Sequence, residues 1–239
     1  TDFGSDHERA NGVAVHADGK IVVAGYSDQG EATGYDFALA RYNADGTLDT
    51  SFGNGGKVTT DIQIFGSYMD AANGVAVQAD GKIVLVGTSF YQFIGKWAFT
   101  LARYNIDGSL DTGFGAGGKM MTDFWGSPDS EAYGVAMQAD GKIVAAGYVY
   151  RSPIDYGGAG YDFALTRFNT DGSLDTSFGS LGWVITDFVS NTDGAFGVAV
   201  QSDGKIVAAG TSYNAYQGGW DFALARYNTD GSLDTGFGT

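Results

Sequence analysis

The chain has 239 residues, with 39 glycines, no cysteine and a formal net charge of −15. The lack of cysteine excludes disulfides and thiolate metal sites. The 13 basic residues are dispersed along the chain, which argues against nucleic acid as a partner, and no apolar stretch reaches the length of a membrane span, which argues against membrane insertion.

A unit of about 60 residues is repeated four times. Each copy opens with a short small-residue segment, first Gly12–Val15, and continues through an Asp-Gly-Lys turn into an apolar run, first Ile21–Tyr26. Repeats of this kind bury their apolar faces against their neighbours. We therefore predict a single repeat domain over residues 1–239. Its repeats are expected at approximately 12–61, 74–123, 134–187 and 197–239 plus 1–3.

The second half of each copy is equally regular. In the first copy, Asp36–Asn43 alternates in character, an acidic turn follows, and Lys57–Asp61 reads as a short strand. Apolar runs such as Ile83–Val86 are short, rich in β-branched residues and closed by glycine, and no segment shows the spacing of an amphipathic helix. The sequence predicts an all-β fold, a β-propeller of four four-stranded antiparallel blades.

The two ends of the chain indicate how such a ring would close. Thr1-Asp2-Phe3 matches Thr122-Asp123-Phe124, which ends a fourth strand, whereas the last copy stops before its own fourth strand. We therefore expect an N-terminal outer-strand stub to close the ring by completing the last blade.

Residues 36–53 and 74–87, with their equivalents in the other copies, resemble the delta-60 repeat family of bacteria. This resemblance covers all four copies. It implies β-propeller repeats of uncharacterised function and transfers no catalytic residues.

The acidic turn that follows the third strand is the clearest chemical motif. It places oxygen-bearing side chains at its first, third and seventh positions around a glycine, as in calcium loops. The candidate metal ligands are Asn43, Asp45, Asp49, Asn105, Asp107, Asp111, Asn169, Asp171, Asp175, Asn228, Asp230 and Asp234. Calcium is the one cofactor that this motif predicts. The alternative interpretation is a hairpin turn whose Asn, Asp and Gly supply local hydrogen bonds.

One arginine per copy, first Arg41, shares a strand face with Phe37 and Leu39. We interpret it as half of a structural ion pair with a repeated aspartate, such as Asp49 or Asp61.

The loops between second and third strands vary in length and are rich in aromatic residues. They span 27–35, 89–97, 149–161 and 212–220. Residues just before the third strand, such as Trp97, are interpreted as blade packing, whereas the remaining aromatics suit stacking on sugars or anchoring a protein. The candidate ligand-binding residues are Phe90, Tyr91, Phe93, Tyr150, Tyr156, Tyr213 and Tyr216.

Catalysis finds little support, since no phosphate loop or nucleophile motif stands out. We predict that the protein is not an enzyme. It is expected to be an extracellular or cell-surface binding module for a glycan or protein partner. The alternative is a structural or assembly protein that forms homo-oligomers or filaments by strand completion between chains.

Overall fold

The computed structural model describes residues 1–30, 33–62, 67–91, 95–122, 124, 129–151, 160–188, 192–214 and 218–238. All regular elements named in these ranges are β-strands. Within the same ranges, no helix has the length and apolarity that crossing a membrane would require.

The strands follow one another as antiparallel meanders. They are β1 Glu8–Val15, β2 Ile21–Asp28, β3 Tyr35–Tyr42, β4 Lys57–Thr60, β5 Ser67–Val77, β6 Ile83–Tyr91, β7 Lys96–Tyr104, β8 Lys119–Thr122, β9 Ser130–Met137, β10 Ile143–Arg151, β11 Gly160–Phe168, β12 Trp183–Thr186, β13 Asp193–Val200, β14 Ile206–Asn214 and β15 Gly219–Tyr227. Blades 1, 2 and 3 are β1–β4, β5–β8 and β9–β12, and blade 4 consists of β13–β15. The all-β fold built from propeller repeats is confirmed.

The chain divides into two compact units, Thr1–Thr122 (unit 1) and Asp123–Thr239 (unit 2). Unit 1 contains blades 1 and 2, and unit 2 contains blades 3 and 4. That the whole chain forms one repeat domain, and that its ring closes, stay predictions.

Each first strand carries a β-bulge directly before its Gly-Val-Ala segment. The register slips between Ala10 and Gly12 in β1, which leaves Asn11 without a paired residue in β2. The bulge brings the backbone of β1 close to Gly25 of β2, where an added Cβ would lie 1.8 Å from the carbonyl oxygen of Arg9. The glycine that closes each apolar run is therefore required by close backbone approach.

The apolar run of β6 is buried on both faces, as expected, whereas Val23 of β2 and Val207 of β14 are only partly buried. Ile83, Val84, Leu85 and Val86 are all fully buried. In unit 1 the third strand of blade 1 packs Phe37 and its neighbours against β6, and unit 2 has an equivalent core. Burial of these side chains stabilises the blades by about 1.5–3 kcal/mol each.

The N-terminal segment occupies the position of the end of a fourth strand. Thr1 shares a hydrogen bond with the Tyr42 hydroxyl, as Thr60 does with Tyr104. The Phe3 amide donates to Glu8 at 2.6 Å, in the same way that the Ile62 amide donates to Asp70 in the next blade. The contacts of the first three residues thus follow the permuted repeat that the sequence indicates.

Candidate functional site

The acidic turns are held together by their own hydrogen bonds. In the first turn, Asp45 Oδ1 accepts from the Thr47 amide at 2.9 Å and from the Thr47 hydroxyl at 2.6 Å. Asn43 Nδ2 donates to the same hydroxyl at 3.0 Å. Gly46 has φ +85°, which favours glycine. These bonds lower the pKa of Asp45, and they account for the motif as a turn.

The last aspartate of each turn belongs to an ion pair. Asp49 Oδ2 accepts from Lys20 Nζ at 2.7 Å and from Arg41 Nε at 2.8 Å. The Arg41 guanidinium also stacks on the Phe52 ring, 4.4 Å from its centroid. The same pairing recurs at Asp111, Asp175 and Asp234. The repeated arginine therefore pairs with the aspartate of the acidic turn. Calcium binding by the turn residues stays a prediction.

The predicted aromatic loops are shorter than expected, because the second and third strands extend into them. Phe90 faces Trp97, and Tyr213 faces Trp220, each across the strand ladder. Their ring centroids lie 5.1 and 5.3 Å apart, respectively, in edge-to-face geometry. Such cross-strand pairs stabilise the hairpin ends.

The structure describes only some of the remaining candidate ligand-binding residues. Tyr91 ends β6, and its side chain is not described. Phe93, Tyr156 and Tyr216 lie outside the described residues. Tyr150 is described, and it contributes to an aromatic row in unit 2.

Five aromatic side chains form this row. Its members, in contact order, are Tyr150, Tyr161, Tyr148, Tyr133 and Phe196, with successive ring centroids 4.9–5.7 Å apart. Tyr133 and Phe196 occupy the bulges of β9 and β13, and Phe196 is 46% exposed. The bulges of β9 and β13 therefore place two aromatic rings next to each other in unit 2.

Two carboxylates accompany the aromatic row. Glu131 lies opposite Tyr148 in the ladder, and its Oε2 accepts from the Tyr133 hydroxyl at 2.7 Å. Asp129, two residues earlier, accepts through its carbonyl from the Tyr150 amide at 2.7 Å. Burial, with the nearby charges of Asp129 and Glu131, raises the pKa of Tyr161. Both carboxylates thus lie beside aromatic rings.

A different group of carboxylates, the first carboxylate cluster, lies in unit 1. Oxygen atoms of Asp36, Asp61 and Asp70 lie within 4.8 Å of one another. Asp36 and Asp70 are buried, and Asp61 is partly exposed. Burial, followed by the charges of Asp61 and Asp70, raises the pKa of Asp36 to about 7.

The second carboxylate cluster occupies the equivalent positions in unit 2. It consists of Asp162, Asp187 and Asp193. Here the guanidinium of Arg151 lies 3.0 Å from Asp162 and 3.9 Å from Asp187. Burial raises the pKa of Asp162 to about 6, although the hydrogen bond and charge of Arg151 oppose the increase.

Two of the pockets among the described residues are lined by charged groups outside these sites. One of about 530 Å³ in unit 1 is lined by Lys57 and Asp107, and one of about 810 Å³ in unit 2 is lined by Lys142 and Arg167. These charged groups already have partners, because Lys142 and Arg167 both contact Asp175. Asp107 binds within its own turn, and Lys57 binds the carbonyl of Asp2. Neither pocket is lined by the carboxylate clusters or the aromatic row.

Sequence reasoning missed these clusters and the row. The clusters join residues from separate strands and adjacent blades, such as Asp36 in β3 and Asp70 in β5. A usable signal existed, because an aspartate opens the third repeated segment in copies 1, 3 and 4, whereas copy 2 has Ala98 there. The bulge could have been found from the glycine that closes every apolar run.

The comparisons with known proteins agree on the fold. The model of the family described as "Domain of unknown function (DUF5122) beta-propeller" matches residues 16–52, 78–114, 138–178 and 201–237, more than half of the chain. No curated protein matches the sequence.

Several solved structures are similar to this chain. A family 43 glycoside hydrolase from Bacillus licheniformis aligns with TM-score 0.51 and 15% identity over 93% of this chain and 58% of its own. A gluconolactonase from Xanthomonas campestris has TM-score 0.45 and 17% identity over 94% and 60%. An endo-arabinase from Bacteroides thetaiotaomicron has TM-score 0.47 and 12% identity over 95% and 79%. The chain spans about three fifths of the length of the first two.

These neighbours correct the functional expectation. We predicted a non-enzymatic binding module, with a structural or assembly protein as the alternative, and no enzyme. That prediction is corrected, because the solved structure that aligns with a TM-score of 0.51 is a family 43 glycoside hydrolase, which is an enzyme. At these identities the likeness itself establishes the fold.

Proposed function

Because the chain belongs to the DUF5122 β-propeller family, we propose, from the geometry of unit 2, that it is an enzyme acting on carbohydrate. The substrate lies on the aromatic row, and Asp129 and Glu131 carry the chemistry. The observation that carries this proposal is the position of the two carboxylates beside a partly exposed row of five aromatic rings.

The aromatic row suits a sugar substrate. Sugar rings present apolar C–H faces that pack on aromatic side chains, and hydroxyls that need hydrogen-bonding partners. Phe196 offers an exposed ring, and the half-buried Tyr133 offers both a ring and a hydroxyl. The Tyr133 hydroxyl is already oriented by Glu131, so the polar end of this surface is fixed before a substrate binds.

The carboxylates suit hydrolysis of a glycosidic bond. This reaction uses one carboxyl group to protonate the leaving oxygen, and a second carboxylate to activate water or to attack the sugar. Asp129 and Glu131 are two residues apart along one chain segment, so they point to the same face. Each stands beside a tyrosine of β10, Tyr150 and Tyr148 respectively.

The family 43 glycoside hydrolase from Bacillus licheniformis is the compared structure with a TM-score above 0.5, and it supports this reaction class as an analogy of fold. The experiment is an assay of the purified protein for release of reducing sugar from a panel of arabinans, fructans and other oligosaccharides. We expect Glu131→Gln to lower the rate at least 100-fold at unchanged folding. Phe196→Ala should raise KM more than it lowers kcat, because its ring binds rather than reacts.

Asp45→Asn is the matched control, since this carboxylate is exposed and bound only within its own turn; its rate should equal that of the parent protein. The proposal fails if no carbohydrate of the panel is cleaved, or if Glu131→Gln keeps the full rate.

Three finer assignments belong to the same proposal. The repeats are delta-60 repeats, the partner is a carbohydrate, and the protein works outside the cell or at its surface.

A further inference from the structure

The first carboxylate cluster contains a buried oxygen without a donor. Asp36 is 5% exposed, and its Oδ2 accepts from the Thr33 hydroxyl at 3.3 Å. Its Oδ1 is buried and accepts no hydrogen bond from any described residue. A buried carboxylate oxygen in this state costs free energy, unless a proton or a cation binds it.

The lysine beside this cluster bonds to a backbone carbonyl. Lys119 is the nearby cation that lowers the pKa of Asp36, but its Nζ donates to the backbone carbonyl of Asp61 at 3.0 Å. Lys57 makes the same bond to the carbonyl of Asp2 in the preceding repeat, so this contact belongs to the blade framework.

The second cluster shows how the same arrangement is neutralised elsewhere. There the Arg151 guanidinium contacts two of the three carboxylates. The residue at the equivalent position in blade 1 is Gln29, because Gly25 and Gly147 align and both lie four residues earlier. Gln29 is neutral, and its amide donates to the Ser27 hydroxyl at 2.9 Å. Among the described residues, a neutral side chain thus stands in unit 1 at the position of Arg151.

We propose that the first carboxylate cluster binds a divalent cation, with calcium as the preferred ion, at the position that the Arg151 guanidinium takes in the second cluster. Each of the three carboxylates offers one ligand oxygen, and the partly exposed Asp61 leaves an approach for the ion and for the waters that would complete its coordination. Calcium accepts an irregular set of oxygens, whereas magnesium demands near-octahedral geometry.

The test follows the thermal unfolding of the full chain after treatment with a chelator, with and without calcium chloride or magnesium chloride and without carbohydrate. We expect millimolar calcium to raise Tm by about 5 °C or more, and magnesium to raise it less. Asp36→Asn should lose the calcium shift, and calorimetric titration should show the loss of one binding site.

Two reciprocal variants use the difference between the units. Gln29→Arg should abolish the calcium shift without lowering the Tm measured in chelator, because its guanidinium reproduces Arg151. Arg151→Gln should gain a second calcium site. Even if one of these variants fails to fold, the other still tests the proposal.

A quadruple variant with Asp45, Asp107, Asp171 and Asp230 changed to Asn separates this site from the acidic turns. We expect it to keep the calcium shift. The proposal is overturned if the parent protein shows no shift up to about 10 mM calcium, which would leave a proton on Asp36 as the neutralising partner. It is also overturned if Asp36→Asn responds like the parent.

Discussion

Units 1 and 2 share one backbone plan but differ in two features, the residues at their bulges and the charge at their carboxylate clusters. The bulge residues are Asn11 and Asn73 in unit 1, where Asn11 donates to the Ala72 carbonyl at 2.9 Å. In unit 2 they are Tyr133 and Phe196, whose rings lie 5.1 Å apart. The same local geometry therefore presents amides in one unit and aromatic rings in the other.

The second difference is one of charge. Both units cluster three aspartates, two of which are buried in each unit, but only the cluster of unit 2 contacts an arginine among the described residues. The repeated residues build the blade, whereas the proposed sites lie where the repeats diverge. The following predictions test each part of this comparison, beginning with what the units share.

The largest expected loss of stability comes from adding a side chain at the glycine that lies against a bulge. Gly25→Ala and Gly147→Ala each place a Cβ 1.8 Å from a carbonyl oxygen, of Arg9 and Glu131 respectively. We expect each to lower the free energy of unfolding by roughly 3 kcal/mol or more, because backbone must move. Gly197→Ala is the control, since its Cβ would meet nothing within 4 Å. Denaturant unfolding that finds either bulge variant as stable as this control would refute the close approach.

The next effect concerns the shared ion pair. Asp49→Asn leaves Arg41 and Lys20 without their carboxylate, and we expect a loss of about 3 kcal/mol because Arg41 and Asp49 are buried. Hydrogen bonds, first from Lys20, hold the pKa of Asp49 well below its usual range. Its contribution is therefore present above pH about 4 and is lost as the pH falls.

Asp175→Asn in unit 2 should behave in the same way, because its partners are Lys142 and Arg167. Urea unfolding at pH 7 measures both losses. If only one of the two variants loses stability, the ion pair does not have the same role in the two units.

The smallest effect distinguishes the two carboxylate clusters. The pKa of Asp36 is raised to about 7, so the folded state holds its proton more tightly than the unfolded state does. The contribution of Asp36 to the free energy of unfolding is therefore fully present below pH about 4, and it is lost as the pH rises to about 7. In chelator, Asp36→Asn should be more stable than the parent at pH 8, by about 1–2 kcal/mol, and similar to it at pH 4.

Arg151→Gln should have the opposite effect in unit 2. It removes the charge that opposes the rise in the Asp162 pKa, so stability should fall at pH 8 and not at pH 4. Tm measured from pH 4 to 8 checks both variants. Equal profiles for the parent and both variants would mean that the clusters do not differ in charge balance.

Part of the site could be predicted from the sequence. The alternation in Asp36–Asn43 and the oxygen-rich acidic turns indicated strands and hairpin turns, because these features depend on neighbouring residues. The pairing of the repeated arginine with an aspartate was also expected. The choice of Asp49 over Asp61 was not, since it depends on how strands and turns pack.

By itself, the sequence determined the repeat, the all-β class and the place of each turn, since period, alternation and glycine act over a few residues. Only the tertiary structure decided which carboxylates meet and which aromatics align. Asp36 reaches Asp70 through the pairing of separate strands, and Tyr133 reaches Phe196 because each occupies a bulge in its own blade. Such contacts join residues far apart in the chain, and their geometry is set by register and packing rather than by local pattern.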